Sequence, residues 1–215
     1  MSYDFREKID YGKTSNDPIW GTGDEDTNKY LEKTELTGKW LNLAAGDGRY
    51  MGFLLRNADR IVVNDIDRTA LDKLIMLTPE NQRVMLEPAV FDIDSQFPFS
   101  DETFDGVFCT GTLHLFPKET MGKIASEITR VTKQGGRLLI DLATDIRRVM
   151  PNGDLRFNPV EPRYTLESGK KEIEEAFRGY YMKFVKGVVP EEEVLEVTQP
   201  HVFSCNYWLV DGSKK

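Results

Sequence analysis

The chain has 215 residues, 40% of them hydrophobic, which is enough for a sizeable core and excludes a fibrous or wholly disordered protein. A formal net charge of −8, from 28 Lys and Arg against 36 Asp and Glu, makes nucleic acid a poor partner, and no apolar run approaches the roughly 20 residues of a membrane helix. The charged amino terminus, MSYDFREKID, lacks the unbroken apolar segment of a secretory signal, so no membrane association and a cytoplasmic location are expected.

Residues 1–38 hold nine acidic and five basic side chains and read as an amino-terminal arm. From 39 to 142, β-rich runs alternate with helical patterns, the mark of parallel strands joined by crossover helices. Strands are expected at 39–43, 61–65, 84–91, 105–110 and 137–142. Between the second and third, Ala70, Leu71, Leu74 and Ile75 form an apolar helical stripe after Asp67, whose carboxylate can cap the helix. Between the fourth and fifth, Met121, Ile124, Ala125, Ile128 and Val131 have the spacing of a helix with one buried face, ended by Gly135-Gly136. Residues 143–164, with Pro151, Gly153, Pro159 and Pro162, read as an irregular insertion over the sheet. The segment 165–215 reads as a helix over about 165–178 and a hairpin of the β-rich runs 180–189 and 201–210, separated by acidic PEEEVLE and the turn-forming Gln199-Pro200. A single domain spanning 1–215 accommodates all of this. Cys109 and Cys205 lie in apolar stretches and are expected as buried, reduced thiols.

The most informative stretch is KWLNLAAGDGRY, residues 39–50, where a buried strand runs through a small-residue turn into a helix. Small residues at 44, 46 and 48 let a ligand approach backbone, and the helix start beyond them offers free N–H groups. A dinucleotide fingerprint would need a third glycine at position 51, which is Met51. The second strand, IVVND, ends on Asp65, nineteen residues after Gly46, about the separation at which an acid meets a ribose in nucleotide-binding βαβ units.

These residues, with VFDIDSQFPFSDETFDGVFCTGTLHLF over 90–116 and ITRVTKQGGRLLI over 128–140, resemble the class I S-adenosylmethionine-dependent methyltransferases. The family's first motif, approximately D/E-x-G-x-G-x-G, falls on Asn42, Ala44, Gly46 and Gly48, with Asn42 in place of the usual acid and Ala44 in place of a glycine. The resemblance implies a Rossmann-like three-layer α/β sandwich whose mostly parallel seven-stranded sheet has an antiparallel last strand, near 202–210, inserted beside the fifth. It also implies the cofactor S-adenosylmethionine, with S-adenosylhomocysteine as product. Asp65 would bind its ribose, Ile66 would lie against the adenine, Asp92 and the backbone N–H of Ile93 would meet the adenine edge, and Thr110-Gly111 would end the fourth strand beneath it.

Leu113-His114-Leu115-Phe116-Pro117 is similar to a pattern common in small-molecule members of the family, while the Pro-Pro motif of amino-directed DNA methyltransferases and the Pro-Cys nucleophile of cytosine-C5 enzymes are missing. A small acceptor, methylated on O, N or another nucleophile by in-line displacement, is therefore expected. His114 is the candidate general base, because imidazole titrates near neutral pH. Tyr11 and Trp20 from the arm, with Arg147, Arg148, Arg156 and Tyr164 from the insertion, are candidates for a lid and acceptor pocket, and the arginines suit an anionic acceptor. His201 reads as structural, and Asp141 with Asp145 reads as loop solvation or ion pairing with no metal site expected. Two other readings compete: a non-catalytic adenosyl-ligand sensor or partner-binding domain on the same fold, and a nucleotide-dependent oxidoreductase.

Overall fold

The computed structural model describes residues 9–14, 17–194 and 200–215. Chain order is α1 (Glu25–Leu31), β1 (Gly38–Asn42), α2 (Met51–Asn57), β2 (Ala58–Asp65), α3 (Arg68–Leu77), β3 (Leu86–Val90), β4 (Phe104–Cys109), α4 (Lys118–Val131), β5 (Thr132–Val149), α5 (Leu166–Ala176), β6 (Tyr180–Val194) and β7 (His201–Lys214). The seven strands lie in the order β3-β2-β1-β4-β5-β7-β6. β1 to β5 pair in parallel, and β7 runs antiparallel between β5 and β6.

Both faces of the sheet are covered, and the period-two alternation of the strands decides which residue goes where. Leu41 and Val62 pack with α4 and α5 through Ile124, Ile128 and Ile173. Their neighbours Trp40, Ile61 and Val63 pack on the opposite side with Leu31, Leu54, Leu71 and Leu74 of α1, α2 and α3. The result is a Rossmann-like three-layer sandwich. Asp67 caps α3 as expected, accepting the Thr69 N–H at 2.8 Å. α5 begins with a reciprocal capping box between Thr165 and Ser168. Cys109 and Cys205 are buried free thiols.

The structure corrects three expectations. α4 stops at Val131, because Thr132 turns extended and enters β5; Gly135-Gly136 lie within β5, where its register against β4 shifts between Thr132 and Arg137. Residues 143–149 are strand rather than insertion, because β7 pairs with β5 as far as Val149↔Val202. Pro190 to Glu193 belong to β6, which pairs with β7 on both sides of a register shift between Val189 and Glu192. The expected turn at Gln199 lies outside the described residues. Among the described residues no helix is long and apolar enough to cross a membrane.

Candidate active site

Strand β1 delivers the chain to the carboxyl edge of the sheet, and the turn beyond it is held open by backbone geometry and by β2. Ala44 and Gly46 both take left-handed backbone, with φ of 47° and 53°. A Cβ at Gly46 would meet no atom within 4 Å, so the turn faces open space. Its N–H donates to Asp65 Oδ2 at 2.9 Å, while Asp65 Oδ1 accepts the Asp67 N–H at 2.9 Å. Burial, ahead of these hydrogen bonds, raises the Asp65 carboxyl above its ordinary range.

Asn64, which the sequence reading passed over, fastens this corner. Its carbonyl oxygen Oδ1 accepts the Ala44 N–H at 3.3 Å, and its amide donates to Ala89 and Phe91 carbonyls at 3.1 and 2.9 Å. The side chain thus ties the β1 turn to the end of β3, which leads into Asp92 and Ile93. Its only sequence signal is a polar residue in a strand that is otherwise apolar just before the terminal acid. Asn42 is buried with its amide 3.4 Å from Met51 Sδ. Beyond β4, Gly111 has φ 66° and donates its N–H to Asp141 Oδ1 at 2.7 Å.

One cavity of about 880 Å³ runs along this edge. Asn42, Ala44, Gly46, Asp65, Ile66, Asp92, Ile93, Thr110, Gly111 and His114 all line it, as do Tyr11, Trp20, Arg148 and Arg156; Gly48 sits in the turn but packs against Leu74 and Met51. The residues over β1–β3 form one end. The other lies over β5–β7 and includes Asp141, Glu192, Phe203, Cys205 and Tyr207, and also His201, so this histidine belongs to the cavity wall. Eight carboxylates and four guanidiniums line the whole among the described residues, and that balance suits a cation.

The arm covers the β1–β3 end. Asp47, between Gly46 and Gly48, forms a buried ion pair with Lys73 of α3 at 2.8 Å. Both partners also hold the arm: Lys73 donates to Thr14 Oγ1 and the Asp17 carbonyl, and Asp47 accepts the Ile19 N–H. Tyr11 is brought beside Asp65, and burial together with Asp65, Asp47 and Asp67 drives its phenol up.

Four of the candidates named from sequence fare differently. Tyr164 is 5% exposed and belongs to the α4–α5 core instead of the cavity. Arg147 faces solvent whereas Arg148 lines the cavity. The cause is the register shift between Thr144 and Arg147, with Asp145 at φ 51°, since one extra residue reverses which side chains face inward. Arg148 is engaged by both oxygens of Glu161, at 2.9 and 3.1 Å. His114 is buried in a 3-10 turn, with Nε2 3.9 Å from Glu161 and Nδ1 without a hydrogen-bond partner among the described residues. Burial, then Arg148, pushes its imidazole down to about 3, so it is neutral at any physiological pH. The opposite shift occurs at Asp141, which burial pushes up to about 7.

Residues 41–140 match the family described as a methyltransferase domain. Among solved structures, the YcgJ protein of Bacillus subtilis shares the fold with a TM-score of 0.64 at 16% identity, over 88% of this chain and 98% of that one. A putative methyltransferase of Bacillus halodurans superposes with a TM-score of 0.62 at 19% identity, over 89% and 99% of the two chains. DhpI, solved as a complex with S-adenosylhomocysteine, gives 0.61 at 16% identity over 88% and 82%. No curated protein matches in sequence. The fold is Rossmann-like, and the matched core within it is a methyltransferase domain. That domain makes the protein an S-adenosylmethionine-dependent methyltransferase, with S-adenosylmethionine as its cofactor.

Proposed function

We propose that this enzyme methylates a small molecule held at the β5–β7 end of its cavity. The observation that carries the reading is the cavity itself: about 880 Å³, continuous from Asp65 to Tyr207 and covered by the arm, which suits two small ligands side by side better than a polymer. When bound, S-adenosylmethionine supplies a methyl group activated on a cationic sulfonium. The open left-handed turn at Gly46, where a side chain would have filled ligand space, and the acidic lining both fit such a group.

Asp65 would accept hydrogen bonds from the ribose hydroxyls, Ile66 would lie against the adenine, and Asp92 with the backbone N–H of Ile93 would meet its edge. Asn42, Ala44, Gly46, Gly48, Thr110 and Gly111 would border the rest of the cofactor. Tyr11, with Trp20, would close over it and exclude water, which strengthens every polar contact inside. Alignment of the acceptor against the methyl group then supplies much of the rate.

For the acceptor proton, Asp141 is better suited than His114. A carboxyl near 7 is half ionised at neutral pH, whereas an imidazole near 3 is a very weak base. The test is incubation with S-adenosylmethionine carrying a tritiated methyl group and a cell extract separated by mass. Label in the low-mass fraction is expected. Label confined to protein or nucleic acid would overturn the small-acceptor reading.

A further inference from the structure

We infer that the acceptor is a small amine, bound as its ammonium ion between Asp141, Glu192 and Asp24 with Tyr50, Phe203 and Tyr207 as ring walls; its nitrogen passes a proton to the Asp141 carboxylate, which frees the lone pair to take the methyl group, with S-adenosylhomocysteine as the leaving group. This rests on the reading above that a small acceptor occupies the β5–β7 end of the cavity.

The three carboxylates converge from three separate elements. Asp24 comes from the arm just before α1, Asp141 from β5, and Glu192 from the register shift of β6, where the irregular strand turns it onto the cavity rim. Their shared counter-charge is Arg49. It is committed to Asp24 at 2.9 Å, and Asp24 also accepts the Tyr50 hydroxyl at 2.8 Å. Among the described residues no Lys or Arg forms a salt bridge with Asp141 or Glu192, so three carboxylates share the one guanidinium of Arg49.

Asp141 itself points to a ligand. Its side chain is more than nine-tenths buried, and the Gly111 N–H on Oδ1 is the one hydrogen bond it takes among the described residues. The second oxygen takes no hydrogen bond among the described residues, and the residue lines the cavity. A buried carboxylate with a free oxygen is costly unless a cation joins it. Aromatic side chains beside the acids reinforce the choice, since ring faces attract ammonium groups. Of the arginines expected to suit an anion, Arg148 is neutralised by Glu161 and Arg147 faces solvent, which leaves Arg156 in the cavity wall.

The cofactor is also cationic, so the acids could serve it instead, and the experiment separates the two. The protein saturated with S-adenosylhomocysteine is titrated calorimetrically with aryl and alkyl amines and their carboxylate isosteres, phenethylamine against hydrocinnamate being the reference pair. Amines are expected to bind at least about tenfold more tightly than their isosteres, a difference of about 1.4 kcal/mol. Asp141→Asn and Glu192→Gln should erase that preference while leaving affinity for S-adenosylhomocysteine and S-adenosylmethionine within about twofold, a result that also reports a folded protein. Equal or tighter binding of the carboxylates, no binding of any amine, or variants that lose S-adenosylmethionine while keeping amine preference would each overturn the inference. In the tritium experiment, a low-mass product retained by a cation exchanger supports it. A neutral or anionic low-mass product sinks this inference and leaves the small-acceptor reading standing, whereas polymer-bound label removes that reading first.

Discussion

Asp65 and Asp141 stand at opposite ends of one cavity and use the same chemistry for different ends. Asp65 has both oxygens engaged by backbone N–H groups, which fixes its direction at the corner of the Gly46 turn. Each charge-assisted hydrogen bond that it would offer a ribose hydroxyl, in the proposed binding mode, is worth about 1.5–3 kcal/mol. Asp65→Ala is therefore expected to weaken S-adenosylhomocysteine binding about tenfold or more by calorimetry. Unchanged affinity in a folded variant would place the ribose elsewhere.

Asp141 makes a pH prediction. Its folded carboxyl lies near 7, above the ordinary carboxylate value, so between about 4 and 7 the folded state binds more protons than the unfolded one and stability falls as pH rises through that window. Asp141→Asn can still accept the Gly111 N–H but cannot ionise. Its melting temperature should exceed the parent's at pH 8 and match it near pH 4, measured by calorimetry. In the parent, methyl transfer should climb as pH rises through about 7 as the carboxylate forms, and the variant should lose that rise.

At the scale of elements, the arm, the first turn and α3 are joined by one buried ion pair. Lys73 and Asp47 are 4% and 1% exposed, and each also holds arm backbone or a hydroxyl. Removing one partner leaves the other charge buried alone, at a cost of about 3–5 kcal/mol. Lys73→Met is thus expected to free the arm before it disturbs the sheet. Limited proteolysis should cut within residues 9–20 many times faster, with the β1–β5 core still protected. Because Tyr11 sits beside Asp65, the same variant should also bind S-adenosylhomocysteine more weakly. A cut rate equal to the parent's would show that the pair does not hold the arm.

At the scale of the whole molecule, β7 is the keystone. It pairs with β5 from Arg137↔Ser213 to Val149↔Val202 and with β6 along its length. Its side chains also reach other layers: Asp211 forms a bidentate pair with Arg137 and accepts the Tyr30 hydroxyl, Trp208 Nε1 donates to the Leu166 carbonyl, and Lys214 donates to the carbonyls of Thr129 and Thr132. A chain ending before His201 would expose the full edge of β5 and lose the β6 pairing. Such a chain should lack near-ultraviolet circular dichroism and bind no S-adenosylhomocysteine; retention of both would show that the β1–β5 core folds alone.

Much of this architecture was legible in the amino-acid order, because it is encoded locally. The alternation of Leu41 with Trp40 and of Val62 with Ile61 and Val63, the helical stripe from Met121 to Val131 and the Asp67 cap each specify their element from neighbouring residues. The small-residue turn and the strand-end acid lie close in sequence, so Gly46 and Asp65 could be read together. What tertiary structure alone decided depends on pairing between distant segments. β7 at positions 201–214 extends β5 to Val149, and the resulting register shift sends Arg148 inward and Arg147 outward. Tyr164 is drawn into the α4–α5 core, and His114 is sealed into a neutral state. Asp24, Asp141, Glu192 and Tyr207 become neighbours only when the arm and three strands close around one cavity, since burial and shared electric fields belong to the folded whole and to no single stretch of chain.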